Sequence, residues 1–195
     1  TVLSRGLGDV YKRQIQEIMK PTTGNEKKYD TATFYSISNC QEGLTRVTLG
    51  NFLIKRVVYE IQEELPNIKN FGTLSPIPGF REWFTTLDEG IIQNILGKIP
   101  YSTVSFLRSS SLKVGDGRIV SNKKAIIKLV AHYLMNEKNK KDLPINDVCR
   151  FHLGNGAIIE DIVINANVSE VGFNRSFGVM VNYLYELKNI EKNHE

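Results

Sequence analysis

Two residues in this sequence have the type and the setting for proton-transfer or acyl chemistry. Ser75 stands in Thr73-Leu74-Ser75-Pro76-Ile77-Pro78-Gly79-Phe80, at the end of an apolar run. Proline fixes its own φ and pushes the residue before it into an extended conformation, so Ser75 is held at a strand exit. His152 stands in Arg150-Phe151-His152-Leu153-Gly154-Asn155-Gly156-Ala157, framed by apolar residues and glycines. A preset hydroxyl and a framed imidazole are the raw material of acid–base or nucleophilic chemistry. Alone they indicate a site and not a reaction. A serine before proline also suits a plain turn, and a lone histidine among apolar neighbours also suits a hydrogen-bonded core position.

A third segment could bind instead of react. After the strand that ends at Asn39, Gln41-Glu42-Gly43-Leu44-Thr45-Arg46-Val47-Thr48-Leu49-Gly50-Asn51 supplies a short loop and a helix start. The first N–H groups of a helix lack intrahelical partners and, with the helix dipole behind them, favour an anion such as a pyrophosphate. Gly50 allows close backbone approach and Arg46 adds charge. Neither GxxxxGK[ST] nor GxGxxG is present, and a simple strand–helix connection is the other reading of the same residues.

The elements that must position these residues are readable in outline. Thr33 to Asn39, rich in β-branched and aromatic residues, predicts a buried strand. Leu49, Leu53, Val57, Ile61 and Leu65 recur every four positions and predict an amphipathic helix over 47–65, ended by Pro66. Ile68 to Leu74 predicts the strand that delivers Ser75. Helices are expected over 79–87, with the single tryptophan Trp83, and over 125–135; residues 88–121 read as mixed. Ile158 to Ala166 is alternating or buried apolar, and Val179 to Leu187 reads as a helix. Tyr133, Tyr183 and Tyr185 read as core or interface residues, and Lys55-Arg56 as a solvated helix face.

Bulk properties narrow the class. With 195 residues, 41% hydrophobic and 24% charged, the chain suits one globular domain. The net charge of +4 is mild and no aromatic–basic interleaving is present, which argues against nucleic acid as partner. No apolar run reaches the roughly 20 residues of a membrane span. Two cysteines, Cys40 and Cys149, without CxxC spacing, and three histidines without a metal pattern point to an intracellular protein with no disulfide framework and no metal site. Residues 1–14 lack a methionine, a signal-peptide core and periodicity, and are set aside as a non-native leader. Residues 188–195 read as a polar tail.

In their order, these motifs resemble the malonyl-CoA decarboxylase family. The resemblance is carried by Phe34-Tyr35-Ser36-Ile37-Ser38, Gln41 to Leu44, Leu49-Gly50, Phe52 to Val58, Leu74 to Phe80, Arg150 to Leu153, Asn155-Gly156-Ala157 and Met180 to Tyr185, across residues 15–187. It implies an α/β (α+β) GNAT-like acyl-CoA-binding fold, a mixed central sheet flanked by helices, here truncated at its N-terminal side with its first strands missing. It implies Ser75 and His152 as the catalytic pair and Thr45, Arg46, Val47, Thr48, Leu49, Gly50 and Asn51 as the coenzyme A pyrophosphate site. The implied reaction is decarboxylation of malonyl-CoA to acetyl-CoA and CO2, with no metal or other cofactor. Ser75 would hydrogen-bond the malonyl group and His152, suitably protonated, would act as general acid to the carbanion. The family also implies a homo-oligomeric full-length protein, cytoplasmic in a bacterium and mitochondrial in some eukaryotes. Val163 to Ser169 departs from the family's tryptophan-containing pattern at that place. An acyltransferase of the same fold and a non-catalytic acyl-CoA-binding module are the competing functions.

Overall fold

The computed structural model describes residues 29–34, 49–97, 101–109 and 112–194. In chain order its elements are β1 (Thr31–Phe34), α1 (Leu49–Glu64), β2 (Asn70–Pro76), α2 (Phe80–Thr86), α3 (Glu89–Leu96), α4 (Tyr101–Arg108), α5 (Gly117–Ser121) and α6 (Lys123–Met135). These are followed by α7 (Asp147–Gly154), β3 (Ile158–Val163), α8 (Glu170–Ser176), β4 (Met180–Leu184) and a short 3-10 turn at Lys192–His194.

The four strands form one mixed sheet in the order β1-β2-β4-β3. β1 runs parallel to β2, with Thr31 opposite Asn70 and Phe34 opposite Thr73. Parallel neighbours need a crossover connection, and α1 lies in it. β4 is antiparallel to both neighbours, with Ser75 opposite Val181 on one side and Ile162 opposite Val181 on the other. The α/β class and the mixed, helix-flanked sheet expected from the sequence are present.

Residues 179–187, read from the sequence as a helix, instead supply the central strand β4. Val181 and Tyr183 are buried and alternate with half-buried Asn182 and Leu184, a period of two that a helix cannot satisfy. The turn before it enforces the change, with Phe177 (φ 55) and Gly178 (φ 76) both left-handed and ending α8. The buried face of α1 also differs from expectation. It carries Ile54 and Val58, with Ile61 half-buried, while Leu65 is exposed. A strict four-residue spacing rotates about 40° per step around a 3.6-residue helix, so the stripe from Leu49 to Leu65 leaves the core side. The side chains of Leu49 and Leu53 lie outside the described residues, as does 35–39 of the first expected strand.

The mixed stretch 88–121 contains three short helices. Asp88 caps α3 by accepting from Ile91 N at 2.8 Å, and Asp116 caps α5 by accepting from Arg118 N at 3.0 Å. An aromatic cluster forms the core beside the sheet: Phe80 packs edge-on against Tyr133 and Phe177, with ring centroids 5.7 and 6.2 Å apart. The Arg81 guanidinium lies over both Phe173 and Phe177, tying α2 to α8. The divergent segment 163–169 is a turn into α8. Asn167 Oδ1 accepts from Ser169 Oγ at 2.6 Å, and Ser169 Oγ in turn accepts from Gly172 N at 3.0 Å.

Candidate active site

Side chains alternate across a strand, so Phe71, Thr73 and Ser75 share one face of β2. The antiparallel register sets Thr73 opposite Tyr183 and Ser75 opposite Val181, which places Tyr183 on that same face. Tyr185 is next in the alternation, and its N–H donates to Phe71 O at 2.7 Å, extending the pairing beyond β4. Two neighbouring strands therefore present Thr73, Ser75, Tyr183 and Tyr185 together.

His152 reaches this face from the last turn of α7. Asn146 caps the helix, accepting from Cys149 N at 2.8 Å. At the other end Ala157 N donates to His152 O at 3.1 Å and Gly156 N to Leu153 O at 2.9 Å, the bond pair of a Schellman motif. Gly156 takes the left-handed φ of 80° that the motif requires, and a Cβ there would fall 2.2 Å from Ile190 O. The glycine frame of His152 in the sequence is thus a helix stop that fixes the histidine's backbone.

The two residues singled out from the sequence meet. Ser75 Oγ lies 3.0 Å from His152 Nε2, and Thr73 Oγ1 lies 3.0 Å from Ser75 Oγ. On the far side of the ring, His152 Nδ1 lies 2.7 Å from the Tyr185 hydroxyl. The imidazole stacks on Tyr183, centroids 4.4 Å apart and planes 23° from parallel. The result is a continuous chain of hydrogen-bonding groups, Thr73–Ser75–His152–Tyr185, and every member is buried.

Burial sets the protonation states. It pulls the His152 imidazole down from its ordinary value to about 4, so the ring is neutral at pH 7. Burial likewise pushes the Tyr185, Tyr183 and Cys149 acids up, so all three keep their protons. A neutral imidazole has one donor and one acceptor nitrogen, and each faces a hydroxyl that can take either role. A general acid at His152 would thus use the single N–H proton of a neutral ring; among the described residues the ring nitrogens meet Ser75 and Tyr185 hydroxyls.

Tyr185 and Tyr183 are buried, as expected, but they also contact the imidazole directly, which core packing alone does not convey. Thr73 was not singled out at all. The signal for the tyrosines was the alternation Val181, Tyr183, Tyr185, hidden by the helical reading of 179–187. Lys55 is mostly buried and pairs with Glu191 at 3.3 Å, whereas Arg56 is exposed and pairs with Glu60. Of the expected pyrophosphate site, Thr45, Arg46, Val47 and Thr48 lie outside the described residues. Leu49, Gly50 and Asn51 are the first described residues of α1, with side chains outside the description.

Comparison with known proteins gives this arrangement a family. The model of the malonyl-CoA decarboxylase C-terminal domain matches residues 3–195. The chain is 37% identical to the mitochondrial malonyl-CoA decarboxylase of Anser anser anser, over 92% of the chain and 40% of that protein. It is 36% identical to the Rattus norvegicus protein of the same name, over 93% and 41%. Among solved structures it is similar to malonyl-CoA decarboxylase from Cupriavidus metallidurans, at 39% identity and TM-score 0.71 over 85% of this chain and 44% of the other. It is also similar to the Agrobacterium vitis enzyme, at 35% identity and TM-score 0.73 over 92% and 45%. The chain thus spans about two fifths of the length of its curated relatives. It belongs to the malonyl-CoA decarboxylase family, as a representative of that family's C-terminal domain.

Proposed function

We propose that this chain carries the reacting centre of a malonyl-CoA decarboxylase, releasing CO2 from malonyl-CoA and leaving acetyl-CoA. The observation that carries the reading is the 3.0 Å approach of Ser75 Oγ to His152 Nε2, with Tyr185 on the opposite ring nitrogen. Breaking the bond to the carboxylate leaves its electron pair on the α-carbon, conjugated with the thioester carbonyl as an enolate. Ser75 donates a hydrogen bond from its hydroxyl to the malonyl group and stabilises that charge in a dry setting. His152 acts as a neutral imidazole, delivering the Nε2 proton to the α-carbon while the Tyr185 hydroxyl donates into Nδ1. Solvent water then returns a proton to Nε2, so one proton is consumed per turnover and Tyr185 keeps its own. A neutral imidazole suffices because a thioester enolate is more basic than the imidazolate left behind.

The coenzyme's pyrophosphate is assigned to Thr45, Arg46, Val47, Thr48, Leu49, Gly50 and Asn51. The place of these residues, between β1 and the described part of α1, supports this, since the N–H groups of a helix amino end favour an anion. The names of the goose and rat relatives support a mitochondrial location if the source is eukaryotic.

The test uses the full-length gene product. Ser75→Ala and His152→Asn are each expected to lower kcat by about 10²–10³ while malonyl-CoA still binds. Release of CO2 is followed without any acyl acceptor, which separates decarboxylation from acyl transfer. Near-normal turnover in either variant contradicts the assignment.

A further inference from the structure

Pro78 lies three residues beyond Ser75, and its carbonyl accepts from two side chains that come from other elements. Tyr133 on α6 donates its hydroxyl at 3.2 Å, and Asn146 donates Nδ2 at 2.9 Å. Asn146 is 2% exposed, and its other amide atom, Oδ1, is the one that caps α7. A single carboxamide therefore grips both the segment leaving Ser75 and the first turn of the helix that ends in His152. Gly79, with φ 80°, leaves room for the second donor, because a Cβ there would fall 2.9 Å from the Tyr133 hydroxyl.

Capping alone does not require an amide, since Asp and Ser cap helices as well as Asn. Asn carries its acceptor and donor on separate atoms of one short stem, so Oδ1 accepts from Cys149 N while Nδ2 donates to Pro78 O; Asp lacks the donor and Ser has one shorter-reaching oxygen for both roles. α7 is eight residues long and rigid between its cap and its Schellman stop, so a displacement at Asn146 is passed to the imidazole. Pro76 and Pro78 stiffen the other arm, so a displacement at the Pro78 carbonyl is passed to Ser75.

We infer that Asn146, assisted by Tyr133, is a positioning residue that sets the separation of Ser75 Oγ and His152 Nε2 through the Pro78 carbonyl. The inference rests on the Ser75–His152 reading of the preceding subsection. Asn146→Asp keeps a cap and removes the donor, and Asn146→Ser keeps a cap on a shorter side chain whose single oxygen does not span both partners. In the full-length gene product each lowers kcat about ten-fold or more, with KM for malonyl-CoA within about two-fold of the parent. Adding Tyr133→Phe to either deepens the loss, while thermal unfolding shows the variants folded at the assay temperature. Parental kcat in both Asn146 variants overturns the inference, and so does a loss that vanishes once activity is normalised to folded protein. Ser75→Ala is assayed alongside. If it is inactive and the Asn146 variants are normal, the clamp alone fails. If Ser75→Ala turns over normally, the pair assignment fails and the clamp falls with it.

Discussion

At the scale of the residue, the chemistry follows from where two polar groups are buried. Ser75 sits between Thr73 Oγ1 and His152 Nε2, so its hydroxyl has a partner on each side before any substrate arrives. His152 is neutral because burial disfavours its charged form, and this has a thermodynamic consequence. Its folded value near 4 lies below the ordinary histidine value near 6.5, so between them the unfolded chain binds a proton that the folded one does not. Stability contributed by neutral burial is present above about pH 6.5 and is lost as pH falls toward 4. The expected loss from this residue is about 2 kcal/mol between pH 8 and pH 5. Denaturant unfolding at the two values should show it in the parent and not in His152→Asn; an identical pH dependence in both contradicts neutral burial. The framing of Ser75 by prolines and of His152 by glycines was legible in the sequence because each is a local backbone device. Thr73 was not, since a strand threonine carries no local sign of what lies beside it.

At the scale of the element, the stop of α7 is the part whose geometry is most narrowly determined by residue type. Gly156 must adopt φ 80° and must pass Ile190 O without a side chain. Gly156→Ala places an L-residue in the left-handed region, at roughly 1–2 kcal/mol, and adds a clash with backbone. The expected destabilisation is about 2 kcal/mol or more, read as a lowered Tm. Gly154→Ala is the control, because a Cβ there meets no atom within 4 Å and its φ is not positive. Equal Tm values for the two variants contradict the account of this helix end. The same scale explains the misread strand. Met180 to Tyr185 mixes β-branched, aromatic and aliphatic residues over too short a run for periodicity to separate strand from helix. Tertiary pairing with β2 and β3 decides it.

At the scale of the whole molecule, the site exists only because distant segments are brought to one sheet face. Ser75 and His152 are 77 residues apart, and Tyr185 is 33 beyond the histidine. The α/β class followed from the resemblance of the motifs to the family, and the pair was legible as two separate motifs. Their contact was not, because it depends on β4 lying beside β2 in one particular register, and no local pattern encodes that neighbour. In the proposed account, sheet, helix stop and the grip on Pro78 together serve one distance, that between Ser75 Oγ and His152 Nε2.

A double-mutant cycle on that pair tests this claim most directly. If the two residues act as a unit on malonyl-CoA, kcat of Ser75→Ala/His152→Asn in the full-length gene product will be no lower than about three-fold below the worse single variant. Losses that multiply, each residue contributing its full factor independently of the other, would contradict it.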